Sequence, residues 1–193
     1  MEPQHRTFDI PGQEKIMRKP IPAFSGVLAL TAALVATAAP AEADSPLIVC
    51  SGTATVDYSP PLGPLPRQTH QTVTEELGTA GGGSCTGPFT AGTATTAFDQ
   101  QVSCLAQGLG DTLVQNVVTY HWQNGQTSTI TYPVTTVVHA ANQEIVTSTG
   151  TVTAGYGLGA VSERIAVYPS LSVLDCLNST IIQQTGLLTV TLT

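Results

Sequence analysis

The sequence predicts an all-β domain, an antiparallel β-sandwich of the immunoglobulin-like kind or a barrel, with about 8–9 short strands and disulfide staples. Three observations predict it. Between Asp44 and Thr193 there are 27 threonines; this β-branched residue suits a pleated, half-buried surface, while the helix formers leucine, lysine and glutamate are scarce. Apolar and polar residues alternate with a period of two in run after run, broken by Gly, Pro and Asn. Four cysteines, Cys50, Cys85, Cys104 and Cys176, make an even set that suits two bridges.

The first alternating run is 53–58 (TATVDY), with Ala54, Val56 and Tyr58 on one face. Four prolines within 59–66 are expected to stop it, because proline has no ladder donor. A second strand covers 69–77, and 78–87 (GTAGGGSCTG) reads as a loop fastened by Cys85. Strands follow at about 93–105 and 112–122, the latter placing Val118, Tyr120 and Trp122 on one face. Asn124-Gly125 then precedes 127–138; Asn-Gly between alternating runs signals a hairpin, here expected with a type I′ turn. Pro133 in the return strand marks an edge or a bulge. A looser turn at 139–142 leads into 143–153. Gly155, Gly157 and Gly159 frame a turn before 160–168, and 169–177 reads as a short helix or an irregular crossing. Residues 185–193 close the series with Leu188, Val190 and Leu192 inward. The order Cys104…Trp122…Cys176 resembles an immunoglobulin core, although Leu174 stands where a tyrosine corner would need tyrosine.

Residues 1–43 read as a signal peptide region. Arg18 and Lys19 give the cationic start, 24–39 is an uncharged run of about sixteen residues, and Ala41-Glu42-Ala43 fits the peptidase site. The run is short for a spanning helix, which needs roughly 20 residues. Cleavage after Ala43 leaves one secreted, extracellular domain, 44–193, without a further membrane anchor. Residues 1–16 add acids and prolines ahead of the charged start, so Met17 is the better initiator; the alternative is a long n-region. Cys50 makes a poor lipid anchor, because Leu47-Ile48-Val49 lacks the small residues of a lipobox.

The domain is acidic: nine carboxylates against Arg67 and Arg164, with no lysine. That balance opposes nucleic acid or an anionic membrane as partner. It leaves an unknown extracellular partner, with a monomer expected. The cysteines form no C-x-x-C and have no histidine nearby in sequence, so disulfides are favoured over a metal site. Three pairings are open; Cys50–Cys85 with Cys104–Cys176 is preferred.

No catalytic, metal or cofactor constellation emerges. His70, His121 and His139 would bind zinc only if they converged with an acid, and His121 and His139 would have to meet across the hairpin. There is no G-x-S-x-G elbow, and a triad such as Ser162, His121 and Asp99 is one of many scattered combinations. Glu75 and Glu76 point to opposite faces of a strand, so they cannot work as a paired acid and base, and a solvated edge is expected of them. Gly81-Gly82-Gly83 has no following lysine to make a phosphate cradle, and 155–159 has no following helix. Asn178-Ser179-Thr180 matches a glycosylation sequon. Tyr58, Tyr120, Trp122, Tyr132, Tyr156 and Tyr168 could form a carbohydrate or peptide platform; core filling is favoured, since Tyr120, Trp122 and Tyr132 lie on apolar faces.

Taken in order, Cys50-x-Gly52, Tyr58-Ser59-Pro60-x-Leu62, Ser103-Cys104-Leu105, Trp122-x-x-Gly125-x-Thr127-Ser128-Thr129, Gly150-x-Val152-x-x-Gly155, Cys176-Leu177 and Thr185-Gly186-Leu187 resemble a group of small secreted proteins of actinomycete bacteria. The resemblance spans the domain and implies a bacterial, Sec-exported origin; it brings no activity and no functional residues to carry over. The expectation is a non-enzymatic extracellular binding or cell-surface module, and the alternative is a secreted hydrolase or enzyme inhibitor.

Overall fold

The computed structural model describes residues 47–104, 116–140, 142–178 and 181–193. The signal region 1–43 with its Met17 start, Leu105 and residues 112–115 of two expected strands, and Ser179-Thr180 of the sequon lie outside the described residues. The strands are β1 (Ile48–Leu62), β2 (Arg67–Gly78), β3 (Cys85–Thr86), β4 (Ala91–Val102), β5 (Asn116–Trp122), β6 (Thr127–Ala140), β7 (Gln143–Gly155), β8 (Val161–Pro169) and β9 (Ile181–Leu192), with a helix α1 (Val173–Leu177) between the last two. The helix resolves the ambiguous 169–177: Ser172 caps it, its Oγ accepting from the Asp175 backbone N–H. No described helix is long and apolar enough to cross a membrane.

Each strand pairs antiparallel with its neighbour in the order β2-β4-β5-β6-β7-β8-β9-β1, and β1 also pairs with β2. That last pairing closes an eight-stranded up-and-down barrel, with β3 as an extra strand on β1. The sandwich alternative is thereby corrected. β1 is laddered to β9 on one side and, over Gly52–Ser59, to β2 on the other, so two separate sheets never form. Trp122 lies apart from the Cys104–Cys176 bridge as well; it stacks on Phe89 with ring centroids 4.7 Å apart, while Cys104 and Cys176 sit in a separate small cluster with Leu62 and Ile181.

Both bridges follow the preferred pairing, Cys50–Cys85 and Cys104–Cys176. The first ties β1 to β3, in which Cys50 and Cys85 are register partners. The second fastens α1 to the segment following β4.

Two expectations at turns need correction. β1 does not stop at its prolines but runs to Leu62; Pro60 and Pro61 fall in the irregular stretch between Asp57 and Leu62, where no ladder pair with β9 exists to be lost. The Asn124-Gly125 hairpin is present without a type I′ turn. Gly125 alone takes a positive φ of 84°, and four residues separate the strands, so an ordinary turn is followed by one left-handed glycine. Asn124 Oδ1 accepts from the Gln126 N–H at 3.0 Å. Pro133 does mark a bulge, since the β6–β7 register shifts between Thr131 and Val134.

One end of the barrel is sealed by aromatic packing. Tyr156 meets Phe89 edge-on at 4.8 Å, and Tyr120 stacks on Trp122 at 5.7 Å. Trp122 Nε1–H donates to Ser128 Oγ at 2.9 Å. The indole fits only because residue 92 is glycine: an added Cβ would lie 2.5 Å from Trp122 Cε3. Gly92→Ala is therefore expected to destabilise by about 1–3 kcal/mol through overpacking, seen as a lowered urea midpoint followed by the fluorescence of Trp122, the single tryptophan.

Candidate functional site

Strand alternation sends every second side chain inward, and midway along the barrel the inward positions are polar. Glu75 on β2 and Arg164 on β8 are 2% and 6% exposed. Arg164 Nε donates to Glu75 Oε1 at 2.6 Å, and its Nη2 pairs with the same oxygen. Tyr120 OH donates to Glu75 Oε2 at 2.6 Å, and Tyr132 OH shares a 2.9 Å hydrogen bond with Ser162 Oγ. Burial works to discharge the Arg164 guanidinium, but Glu75 beside it outweighs this and holds it charged.

The tyrosines of this layer resist ionisation. Burial pushes Tyr132 and Tyr168 up to about 12, and burial with the neighbouring Glu75 carboxylate drives Tyr120 up as well. An unfolded tyrosine titrates near pH 10. Between about pH 10 and 12 the unfolded chain has released protons that the fold retains, so the stability present below pH 10 is lost as pH rises through that window. Each of Tyr132 and Tyr168 contributes about 2–3 kcal/mol to this loss. The expected result is tyrosinate absorbance that rises together with the loss of near-ultraviolet circular dichroism, rather than ahead of it.

Beyond this layer, on the side away from the aromatic seal, lies a cavity of about 170 Å³. Val56, Val73, Phe98, Val137 and Val146 give it apolar walls, and Arg164 and Tyr168 border it at the polar layer. The bulge at Tyr132-Pro133 is what turns Thr135 and Val137 inward, continuing the face of Ile130 and Tyr132. β4 and β5 share only two register pairs, Gly92–Trp122 and Thr93–His121; past them the strands part, and Phe98, Gln100 and Asn116 on the two banks line the cavity.

Tyr58 and Glu144 line the cavity and are only partly buried, which places them at its rim. Tyr58 OH donates to Gln184 Oε1 at 3.0 Å, and Gln184 Nε2 donates to the Pro169 carbonyl at 2.7 Å. Glu144 Oε2 is buried and accepts no hydrogen bond from any described residue. Burial raises the Glu144 carboxyl above its ordinary range, and His139, its register partner on β6, works against the rise.

The residues singled out in the sequence come together only in part. The four cysteines form their two bridges. His70 Nδ1 lies 3.0 Å from Asp99 Oδ1 on the exposed outer wall, and His121 and His139 are exposed, far apart along the β5–β6 ladder. Ser162 is buried against Tyr132, away from His121 and Asp99, so that triad does not assemble. Among the described residues no three His, Cys, Asp or Glu could share a metal. Gly155, Gly157 and Gly159 form the β7–β8 turn, all with positive φ. Asn178 caps the end of α1. Glu75 corrects the solvated-edge expectation: Glu76 is exposed, whereas Glu75 is a buried ion-pair partner. Neither Glu75–Arg164 nor Glu144 shows a site pattern in the sequence; the available signal is that one of only two arginines after residue 43 sits inside a run of alternating strand residues. No family model, curated protein or solved structure matches the chain.

Proposed function

We propose that the protein is a non-enzymatic extracellular binding module that takes a ring-sized molecule into one end of its barrel. The observation that carries this is the 170 Å³ cavity, walled by inward side chains and backed by the Glu75–Arg164 layer. Eight strands enclose an interior that side chains can just fill or that holds one small ligand, and here the described residues leave one end unfilled. An apolar cavity of about 150 Å³ accommodates benzene, which sets the size class. A hydrolytic reading would need a base beside a nucleophile, and no histidine is among the described residues that line the cavity. Export to an oxidising compartment belongs to the same reading, supported by the leader and by the bridging of every described cysteine.

The test is ligand-observed NMR and thermal shift on the purified, disulfide-bonded protein with toluene, benzyl alcohol and indole. Binding with a dissociation constant on the order of 0.1–1 mM is expected, abolished by Val137→Trp, which fills the cavity. No binding of any ring of this size, neutral or charged, at millimolar concentration would overturn the proposal.

A further inference from the structure

We infer that the cavity selects small organic cations, seating a primary ammonium against the Glu144 carboxylate and an apolar body against Val56, Val73 and Val137; this rests on the binding reading above. The charges lining the cavity decide the sign. Arg164 spends both Nε and Nη2 on Glu75, and Tyr120 takes the second oxygen of that carboxylate. The pair is neutral as a unit and offers a ligand no net charge. Glu144 is the remaining formal charge among the described lining residues.

A carboxylate only accepts hydrogen bonds, and Glu144 Oε2 is buried with no donor among the described residues. Leaving a buried charged acceptor unpaired is unfavourable, so a ligand N–H⁺ arriving there meets a group already desolvated and waiting for a donor. A carboxylate or phosphate ligand would be repelled by the same oxygen. A metal ion is a poor match, because among the described residues no second free carboxylate, histidine or thiolate joins Glu144, and the other polar lining groups such as Gln71, Gln100 and Ser148 are uncharged. The rings of Tyr58, Phe98 and Tyr168 also line the cavity, and aromatic faces attract cations. The net charge of −7 concentrates cations around the whole molecule.

Four probes of one size separate the possibilities: benzylamine, benzyl alcohol, toluene and benzoate, titrated at pH 8 by calorimetry and ligand-observed NMR. Benzylamine is expected to bind at least tenfold more tightly than benzyl alcohol, and benzoate not at all. In Glu144→Gln, checked for cooperative unfolding, the benzylamine preference disappears. The inference is overturned if benzylamine and benzyl alcohol bind equally, or if Glu144→Gln keeps the preference. It is overturned too if benzylamine still binds when Val137→Trp fills the cavity, since the acidic exterior would then be the attractant. In those cases binding of the neutral rings leaves the small-molecule reading standing, whereas failure of all four probes removes both.

Discussion

Arg164→Met is expected to lower stability by about 3–5 kcal/mol, because it leaves the Glu75 carboxylate buried without its counter-charge. Against a total of roughly 5–15 kcal/mol for a domain, that brings the fold close to its limit. Adding Glu75→Gln to Arg164→Met should restore most of the loss. The double variant has no buried charge, and the glutamine carbonyl still accepts from Tyr120 OH. Urea unfolding of the single and double variants checks this; equal midpoints would show that the lost contacts of the arginine, and not the stranded charge, set the effect. The pair therefore adds little net stability as a pair while being hazardous to break. What it does contribute is a polar layer that stays put beneath the cavity.

The second large effect belongs to the Cys104–Cys176 bridge. Its partners are 72 residues apart, and chain-entropy reasoning assigns such a loop about 4 kcal/mol. Cys104→Ser with Cys176→Ser should lose about 2–5 kcal/mol in urea unfolding. A second readout locates the change: α1 and the segment around it should become susceptible to limited proteolysis before the barrel strands do. Besides the bridge, the small cluster of Leu62, Cys104, Cys176 and Ile181 is held by packing of the partly buried Tyr58, Val102 and Leu171. Even digestion of strands and α1 would show that the bridge supports the barrel as a whole.

Much of the wall was legible in the sequence because alternation and turn chemistry are local. Val118, Tyr120 and Trp122 face inward as their pattern demands, and the glycines at 155–159 make the turn that their spacing suggests. β8 shows where local pattern misleads. Val161, Ile165 and Val167 make the more apolar face, yet Ser162, Arg164, Ala166 and Tyr168 are the buried ones. The choice of face there depends on partners from remote strands: Glu75 lies 89 residues from Arg164. The same holds for Glu75 itself, an acid whose neighbour Glu76 is a plain surface residue. Barrel closure was equally hidden, because a meander of strands is compatible with an open sheet, a sandwich or a ring, and only the β1–β2 and β1–β9 register distinguishes them. The cavity follows from a bulge at Pro133, which the proline itself signals, and from the parting of β4 from β5, which leaves no signal in the sequence.

The closing ladder also governs how the domain is assembled in time. β1 meets β9 along pairs such as Ile48–Leu192 and Thr55–Thr185, contacts between the first and last described strands. A chain emerging in order has β1 available early but cannot satisfy that side of it until 181–192 has arrived. Pairings of such long sequence separation put the fold among the slower topologies. Until the ring shuts, the edges of β1 and β9 are open templates for strands of other chains. Dilution, or a chaperone that shields an extended edge, should therefore raise the refolding yield far more than it changes the final stability.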